Sequence, residues 1–246
     1  MRRARRRVRK LVPDPLYHRW RVRRFERSEL AARGVLDAHV DPARNAVDVG
    51  ANRGILTAAL ARRSQHVWAY EPDPQMQILL RRYAPANVTC SAIALSDAEG
   101  TFELVTPIWG EGASRTHGSL SKSFEGHDVV RTPVQTRPLD SMGHDNIGFL
   151  KIDVEGHELA VLRGARETLR TQRPVLWVEI ERDHQPEGEM ELTFALLDEA
   201  GYRGFFIFEG ERHPLASFDA EKHQPLVDGV RPPGRSRVAD FLFLPA

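Results

Sequence analysis

The sequence predicts an α/β fold, with a mostly parallel sheet covered by helices on both faces. From about residue 44 to residue 208, short apolar segments alternate with segments that have helical periodicity. Such alternation is typical of parallel strands joined by right-handed helical crossovers. Near the end of the chain, two apolar segments follow one another without a helix between them. This change predicts a terminal hairpin that inserts one antiparallel strand into the sheet.

Length and composition exclude several other classes of protein. The chain has 246 residues, 41% of them hydrophobic and 28% charged, which suits a globular protein with a substantial core. Its single cysteine, Cys90, excludes a disulfide framework and a cysteine-rich metal site, and fits a reducing compartment. No run approaches the roughly 18 apolar residues of a membrane span. The basic N-terminus precedes no apolar stretch, so we expect no secretory signal and predict a cytoplasmic location.

The first half of the α/β region contains the clearest elements. Apolar segments rich in β-branched and aromatic residues predict strands, and apolar residues three or four positions apart predict helices. Pro74 stands at the start of one helix, where proline is tolerated, and Ser28 is of a residue type that caps helices. The predictions are a helix at 28–39, a strand at 46–49, a helix at 55–63, a strand at 66–70, a helix at 74–83, a strand at 87–95 and an additional strand at 101–105.

A long loop separates these elements from the second half. Residues 107–128 contain four glycines and four serines without periodicity, which is typical of a functional or disordered loop. We interpret it as a candidate lid over a substrate, with a plain surface loop as the alternative. The residues of this loop that could contact the substrate are Trp109, His117, Ser119 and His127. Beyond it we predict strands at 129–136 and 148–154, a helix at 158–170, a strand at 174–181, a helix at 191–200 and strands at 202–208 and 238–244.

Residues 1–27 form a basic head that differs from the rest of the chain. They contain twelve Lys or Arg residues and two acidic ones, a net charge of +10, whereas residues 28–246 carry −9. Pro13 and Pro15 interrupt the head, so we expect no single long helix there. We therefore divide the chain into a basic arm with a helical extension at 1–40 and a main domain at 41–246. Three roles are open for the head. It contacts an anionic membrane surface, it docks on a negatively charged partner or on the acidic body of residues 28–246, or it has no role.

The first motif, DVGANRG at 48–54, lies where the first predicted strand meets the first predicted helix. Open α/β sheets bind ligands at this edge, and Glu71, at the end of the second strand, would accept hydrogen bonds from ribose hydroxyls. Asn52 replaces the second glycine of the dinucleotide fingerprint, and Asp48 would repel a pyrophosphate. A carboxylate here instead suits S-adenosylmethionine, whose sulfonium and α-ammonium groups are positive.

The second motif, KIDVEGHE at 151–158, ends the strand before the helix at 158–170. Lys151, Asp153 and Glu155 alternate, so they share one side if the strand continues that far. Unpaired buried charges are costly, which indicates a site at the rim of the sheet rather than packing. Glu179 or Glu181, at the end of a neighbouring strand, would lie on the same rim. Such acids orient a hydroxyl, act as a general base or bind a divalent cation.

Two residues of this motif keep two interpretations each. His157 is either a base or ligand, or a surface residue at the start of a helix. Lys151 either takes part in chemistry or forms an ion pair with Asp153 or Glu155.

Six segments of the chain together resemble one known family. VDVGANRG, AYEPDP, ALSDAEG, LKIDVEGHE, Gly164-Ala165 and LWVEI occur in that order, and they resemble the FkbM family of S-adenosylmethionine-dependent methyltransferases over about residues 44–208. The resemblance implies a Rossmann-like class I methyltransferase fold with a seven-strand sheet. It also implies O-methylation of a hydroxyl on a sugar, glycolipid or related natural product. Two departures are the turn at 136–140, where the family usually has Thr-Leu-Asp, and His157, which fills a position that is often small.

The resemblance also implies roles for particular residues. The methionine part of the cofactor would lie against residues 48–52, the ribose at Glu71 and the adenine along residues 92–94, through backbone contacts. Asp153 would face the transferred methyl group. The predicted cofactor-binding residues are Asp48, Gly50, Ala51, Asn52, Gly54, Glu71, Pro72, Ala92, Ile93 and Ala94.

For the reaction, we hypothesise an acidic rim of Asp153, Glu155 and Glu179 that positions the acceptor, with Mg²⁺ as a candidate bridging ion. Lys151 or His157 would assist proton removal. Two other functions stay open: a scaffold that binds the cofactor without turnover, and a nucleic-acid methyltransferase that uses the basic head. The second lacks the Asn/Asp-Pro-Pro-aromatic segment of base amino-methylases, and the acidic body would repel phosphate. We therefore expect a saccharide or other hydroxylated acceptor, no nucleic acid, and a protein that is cytoplasmic or peripheral to the inner face of the membrane.

Overall fold

The computed structural model describes residues 14–25, 34–109, 112–113, 118–121, 128–227, 232 and 237–246. Residues 1–13, 26 and 27 of the basic head lie outside the described residues, as do Ser28, His117 and His127. Trp109 is the last residue of a strand, and only its backbone is described. Within the described ranges, no helix is both long enough and apolar enough to cross a membrane.

The strands of the described chain form two sheets. The larger sheet has eight strands in the order β11-β10-β12-β9-β8-β1-β2-β3. Strands β3, β2, β1, β8 and β9 run parallel, whereas β12, β10 and β11 run antiparallel to their neighbours. In chain order, the strands are β1 (Asn45–Val49), β2 (Val67–Tyr70), β3 (Val88–Ser91), β4 (Ala94–Leu95), β5 (Gly100–Trp109), β6 (Gly112–Ala113), β7 (Val129–Arg137), β8 (Ile147–Ile152), β9 (Val175–Glu179), β10 (Tyr202–Phe208), β11 (Glu211–Pro214) and β12 (Asp240–Pro245).

This topology confirms the predicted fold class and adds one strand to it. β12 inserts between β9 and β10 and is antiparallel to both, as the predicted terminal hairpin requires. The eighth strand, β11, follows a turn in which Glu209 and Gly210 both have positive φ. Its sequence, ERHP, is polar, so it carries no apolar signal from which a strand is predicted.

Eight helices are present in the described residues. α4 begins as predicted, because the Asp73 side chain accepts hydrogen bonds from the N–H groups of Gln75 and Met76, with Pro74 next to it. Pro15 likewise lies at the start of α1, so it begins this helix rather than breaking it. The helices are α1 (Asp14–Phe25), α2 (Val35–His39), α3 (Ile55–Ala61), α4 (Pro74–Tyr83), α5 (Glu158–Arg163), α6 (Arg166–Thr171), α7 (Glu189–Glu199) and α8 (Ala220–His223).

The helix predicted at 158–170 is wrong in one respect, because the chain forms two helices, α5 and α6. They are separated at Gly164, where a Cβ atom would lie 2.0 Å from the Ser96 carbonyl oxygen and 3.1 Å from the Cα of Pro138. The main chain after β4 therefore crosses the helix at this point, and only glycine leaves room for it.

A second sheet of four strands, in the order β4-β7-β5-β6, corrects two further predictions. The strand predicted at 87–95 divides into β3, in the larger sheet, and β4, in the smaller one. The predicted loop at 107–128 starts three residues too early, because β5 continues to Trp109 and forms a long antiparallel pair with β7. Ser119 also forms a bridge with Val105 of β5. Pairing with distant strands stabilises β4, the end of β5 and the segment at Ser119. The partners of such pairs are far apart in sequence, so the sequence around each one shows little periodicity.

Strands β1 and β8 form the centre of the larger sheet, and all of their residues are buried. Apolar residues of α5, α6 and α7 pack on one face, and those of α2 and α3 pack on the other. Strands covered on both faces have nearly continuous apolar sequences, which explains why they were predicted correctly. The carboxyl ends of β1, β2, β8 and β9 meet at one edge of this sheet.

Asp140 provides a test of the α5–α6 connection. Its carboxylate accepts hydrogen bonds from the N–H groups of Glu167 and Thr168, both at 2.8 Å, and from the Thr168 hydroxyl at 2.7 Å. It thus caps α6 from a distant turn. We expect Asp140→Ala to lower the free energy of unfolding by about 1–2 kcal/mol, measured by denaturant titration. The exposed Asp198→Ala on α7 serves as control, and equal stability of the two variants would contradict this capping role.

Candidate active site at the carboxyl edge of the sheet

The turn after β1 is fixed by close contact with the turn after β8. Gly50 has φ 80°, and a Cβ atom there would lie 1.8 Å from the backbone oxygen of Asp153. The Asp153 N–H in turn donates to the Val49 carbonyl at 3.0 Å. Only glycine permits this approach, so the two sequence motifs meet through their backbones.

Glu71 connects the same turn to the end of β2. Its carboxylate accepts hydrogen bonds from the N–H groups of Asn52, at 2.7 Å, and Asp73, at 2.8 Å. Asn52 has φ 50°, a left-handed conformation that aims its N–H toward the carboxylate. Burial raises the pKa of Glu71 to about 7, although both hydrogen bonds favour the charged form. Glu71 is therefore a preformed acceptor at the predicted ribose position.

Asp48 lies beneath the turn rather than in the cleft. Its carboxylate accepts a hydrogen bond from the Thr57 hydroxyl at 2.6 Å, and burial raises its pKa to about 6. Pairing of β1 with β8 places Asp48 opposite Lys151. Asp48 thus contributes negative charge below the floor of the site and holds the start of α3 through Thr57.

Lys151 is a buried ammonium among carboxylates. Its Nζ lies 3.4 Å from Oδ2 of Asp153, and its side chain is 6% exposed. Burial alone would lower the pKa of Lys151, but the charges of Asp153, Glu179, Asp240 and Asp48 raise it above its ordinary value. Of the two interpretations of Lys151, the ion pair is therefore present, and its partner is Asp153.

The carboxyl groups around Lys151 hold protons more tightly than free ones do. Desolvation raises the pKa of Asp153, which Lys151 only partly offsets, while the Asp153 side chain remains 38% exposed toward the cleft. Burial and the neighbouring Asp153 raise the pKa of Glu179 to about 9. Asp240 on β12 accepts a hydrogen bond from the Trp177 indole at 2.8 Å. This arrangement makes Asp153 a stronger base than an ordinary aspartate.

The turn after β8 is supported by a network that the sequence does not reveal. Glu155 has φ 55°, and its carboxylate lies 2.9 Å from Nδ1 of His184. Nε2 of His184 lies 3.0 Å from Glu181, which also pairs with Arg237. Burial lowers the pKa of His184, but the hydrogen bonds to both glutamates dominate and raise it to about 9. A protonated His184 therefore holds Glu155 at the rim.

His157 joins three separate segments of the chain. Its Nε2 lies 2.9 Å from the Ser96 hydroxyl and its Nδ1 2.6 Å from the Ser121 hydroxyl. Burial lowers its pKa, so the ring is neutral at neutral pH. The Ser119 hydroxyl also donates to the Glu155 carbonyl at 2.6 Å. Segment 118–121 is thereby fastened across the turn at 155–157, and both nitrogens of His157 are engaged.

These elements line an open cleft of about 680 Å³, a volume that includes the solvent at its mouth. Nine predicted site residues line it, and six others, Asp48, Ala51, Gly54, Ala92, Lys151 and Glu179, do not. Ala92 is exposed elsewhere, because β3 ends before it. The predicted residues in the lining are Gly50, Asn52, Glu71, Pro72, Ile93, Ala94, Asp153, Glu155 and His157. The lining residues that were not predicted from the sequence are Val49, Tyr70, Asp73, Leu95, Leu104, Gly118, Leu120 and Val154.

The predicted metal ligands are not brought together. In the described part of the chain, three potential ligand atoms lie within 4.8 Å of one another only at Glu181, Asp183 and His184. Arg237 pairs with both acids of this group, and His184 pairs with Glu155 as well. Cationic side chains thus occupy the positions that a divalent ion would need. Asp153, Glu155 and Glu179 do not form such a group.

Comparison with known proteins agrees with the resemblance seen in the sequence. The methyltransferase FkbM domain matches residues 48–203. Hexuronic acid methyltransferase AglP of Haloferax volcanii is 31% identical over 147 residues, which is 57% of this chain and 57% of that protein. The chain thus matches little more than half of this relative.

The structural comparison shows the same fold. The crystal structure of methyltransferase FkbM from Methylobacillus flagellatus KT aligns with a TM-score of 0.50 and 21% identity. The alignment covers 82% of this chain and 44% of that one. It supports the Rossmann-like architecture, including the mostly parallel sheet.

The raised pKa of Glu71 leads to a prediction for cofactor affinity. If Glu71 holds the ribose as predicted, its hydroxyls would donate to the ionised carboxylate, so S-adenosylmethionine affinity should fall as the pH drops through about 7. We expect Glu71→Gln to bind the cofactor between about ten- and a hundredfold more weakly at alkaline pH, and without this pH step. Isothermal titration calorimetry measures both effects. Glu103→Gln, on the exposed face of β5, is the control, and a pH step retained in Glu71→Gln would contradict the assignment.

The network at His184 leads to a prediction for stability. The pKa of His184 is about 9 in the folded state and 6.5 in a model peptide, so its contribution is fully present below pH 6.5 and is lost as the pH rises toward 9. We expect His184→Gln to melt at lower temperature than the parent protein, with the largest gap below pH 6.5. The gap should shrink as the pH approaches 9. A gap that is independent of pH would show that His184 acts through packing alone.

Proposed function

The chain belongs to the FkbM methyltransferase family, and we propose that it transfers a methyl group from S-adenosylmethionine to a hydroxyl of a sugar, glycolipid or related natural product. One observation carries this proposal. Glu71, at the predicted ribose position, and Asp153, a carboxylate with a raised pKa, both line one cleft. The site thus combines cofactor recognition with a base for the acceptor.

The cleft suggests one orientation of the cofactor. The backbone of residues 50–52 would hold the methionine part, and Glu71 would accept hydrogen bonds from the ribose. The adenine would lie along Ile93 to Leu95, with Leu104 of the second sheet on its other side. The positive sulfonium would then face Asp153, and the buried carboxylates around Lys151 would favour its charge.

We propose that Asp153 accepts the proton during transfer. The acceptor oxygen forms a bond to the methyl carbon while the carbon–sulfur bond breaks, leaving S-adenosylhomocysteine. The hydroxyl proton passes to the Asp153 carboxylate, whose raised pKa suits this role. Lys151 would hold Asp153 in place, and His157 would fasten segment 118–121 rather than take the proton. Glu155 would position the acceptor.

The charges of the cleft bear on the kind of acceptor. Its described lining contains four carboxylates, at Glu71, Asp73, Asp153 and Glu155, and no Lys or Arg. Such a lining favours an uncharged hydroxyl over an anionic group. The Haloferax relative is described as acting on a hexuronic acid, so we carry over the saccharide class and propose a neutral sugar unit as acceptor.

We propose a transfer step without Mg²⁺. The predicted metal ligands do not converge, and the ammonium of Lys151 already supplies positive charge next to Asp153. Chelator-treated enzyme would therefore retain its activity. Loss of activity that returned with Mg²⁺ would contradict this part of the proposal.

Replacement of Asp153 tests the reaction. We expect Asp153→Asn to retain S-adenosylmethionine binding within a few-fold and to lower kcat for methylation of neutral glycans by about 10²–10⁴-fold. Transfer of the radiolabelled methyl group to glycan acceptors measures kcat, and calorimetry measures binding. Glu103→Gln is again the control.

Each outcome distinguishes a different function. Normal turnover in Asp153→Asn would remove the proposed base. Cofactor binding by the parent protein without transfer to any hydroxylated acceptor would favour a scaffold. Transfer to a uronate carboxylate alone would keep the methyltransferase and overturn the neutral-sugar acceptor.

A further inference from the structure

Helix α1 has two different faces, and the inner one is anchored next to the cofactor turn. His18 and Val22, one helical turn apart, are buried, and α1 packs against α3. Nε2 of His18 lies 3.1 Å from the Arg53 carbonyl oxygen, and its ring stacks on Tyr83 with centroids 4.4 Å apart. The helix is thus attached to the domain, and its orientation is fixed.

The outer face combines exposed apolar residues with exposed arginines. Leu16 and Trp20 are 55% and 49% exposed, and their spacing of four residues places them on one side of the helix. Arg23 and Arg24 extend the same side by one more turn, and the guanidinium of Arg24 lies 5.5 Å from the centre of the Trp20 ring. Successive residues of an α-helix are rotated by about 100° around its axis, so this side lies opposite His18 and Val22.

The charge of this face is opposite to that of the body. Between residues 15 and 25 the sequence contains four arginines and no acid, and residues 28–246 carry a net charge of −9. An anionic surface would attract the outer face of α1, whereas the acidic body would repel a polyanion that extended beyond it.

We propose that the outer face of α1, formed by Leu16, Trp20, Arg23 and Arg24, binds an anionic membrane surface. The arginines would contact lipid headgroups, while Leu16 and Trp20 would enter the boundary between headgroups and acyl chains. A nucleic acid would engage the arginines but would offer no apolar layer to Leu16 and Trp20. The combination of both residue types favours a lipid surface. This inference goes beyond the proposed reaction and does not depend on it.

Vesicle binding by the full chain tests the proposal. The probes are vesicles of phosphatidylglycerol with phosphatidylcholine, compared with pure phosphatidylcholine vesicles, in a co-sedimentation assay. We expect binding only to the anionic vesicles, and weaker binding as salt increases. Replacing Arg23 and Arg24 with Gln should lower the partition coefficient by about thirtyfold.

A second variant separates the membrane from other anionic partners. Leu16→Ser combined with Trp20→Ser should lower vesicle binding by about tenfold. Leu192→Ser, at a 53% exposed leucine on α7, should leave it unchanged. S-adenosylmethionine affinity, measured on every variant, verifies that the fold is retained.

Two results would overturn the proposal. One is equal partition of the parent protein onto anionic and neutral vesicles, or onto neither. The other is vesicle binding that the arginine variant loses but the Leu16/Trp20 variant keeps, with nucleic acid displacing the protein from vesicles. The latter would identify a general polyanion-binding surface instead.

Discussion

The backbone contact between Gly50 and Asp153 is the constraint on which the rest of the site depends. A Cβ atom on Gly50 would lie 1.8 Å from the Asp153 carbonyl oxygen, so the turns after β1 and β8 touch along their main chains. One turn carries the cofactor motif and the other carries the proposed base. Because both follow fully buried strands, neither can move without disturbing the core. The relative position of cofactor and acceptor is therefore a property of the backbone.

The electrostatics of the site follow from the same arrangement. Parallel pairing of β1, β8 and β9 brings Asp48, Lys151 and Glu179 to one edge, and β12 adds Asp240. Burial raises the pKa values of Asp48, Asp153 and Glu179, so one buried ammonium does not fully compensate these carboxyl groups. A cationic ligand would relieve this imbalance. These carboxyl groups would ionise more readily beside a sulfonium, whereas a pyrophosphate would raise their pKa values further.

The sequence predicted the parts of this site that are local and missed those that depend on distant pairing. The strands β1, β2 and β8, helix α4 and the residues of the two motifs were predicted, because apolar runs, caps and glycine turns act within a few residues. Leu104 and Leu120 line the cleft, yet in sequence they look like ordinary strand or loop residues. His184 lies 29 residues beyond its partner Glu155, and Arg237 lies 56 residues beyond its partner Glu181, so nothing near them in sequence indicates these pairs. The break at Gly164 depends on Ser96, from another part of the chain.

The second sheet forms part of the cleft without taking part in the contact between Gly50 and Asp153. It is inserted between β3 and β8, and the bridge between Ser119 and Val105 connects segment 118–121 to β5. Side chains and one carbonyl connect that segment to the turn after β8, by way of Ser119, Ser121 and His157. Changes in segment 118–121 would therefore alter one wall of the cleft without touching the contact between Gly50 and Asp153. Hydrogen bonds to His157 also account for its presence where the family often has a small residue. A small residue at 157 would remove the connections to Ser96 and Ser121, and the hydrogen bond from the Ser119 hydroxyl to the Glu155 carbonyl would then hold the wall formed by Gly118 and Leu120 against the turn after β8.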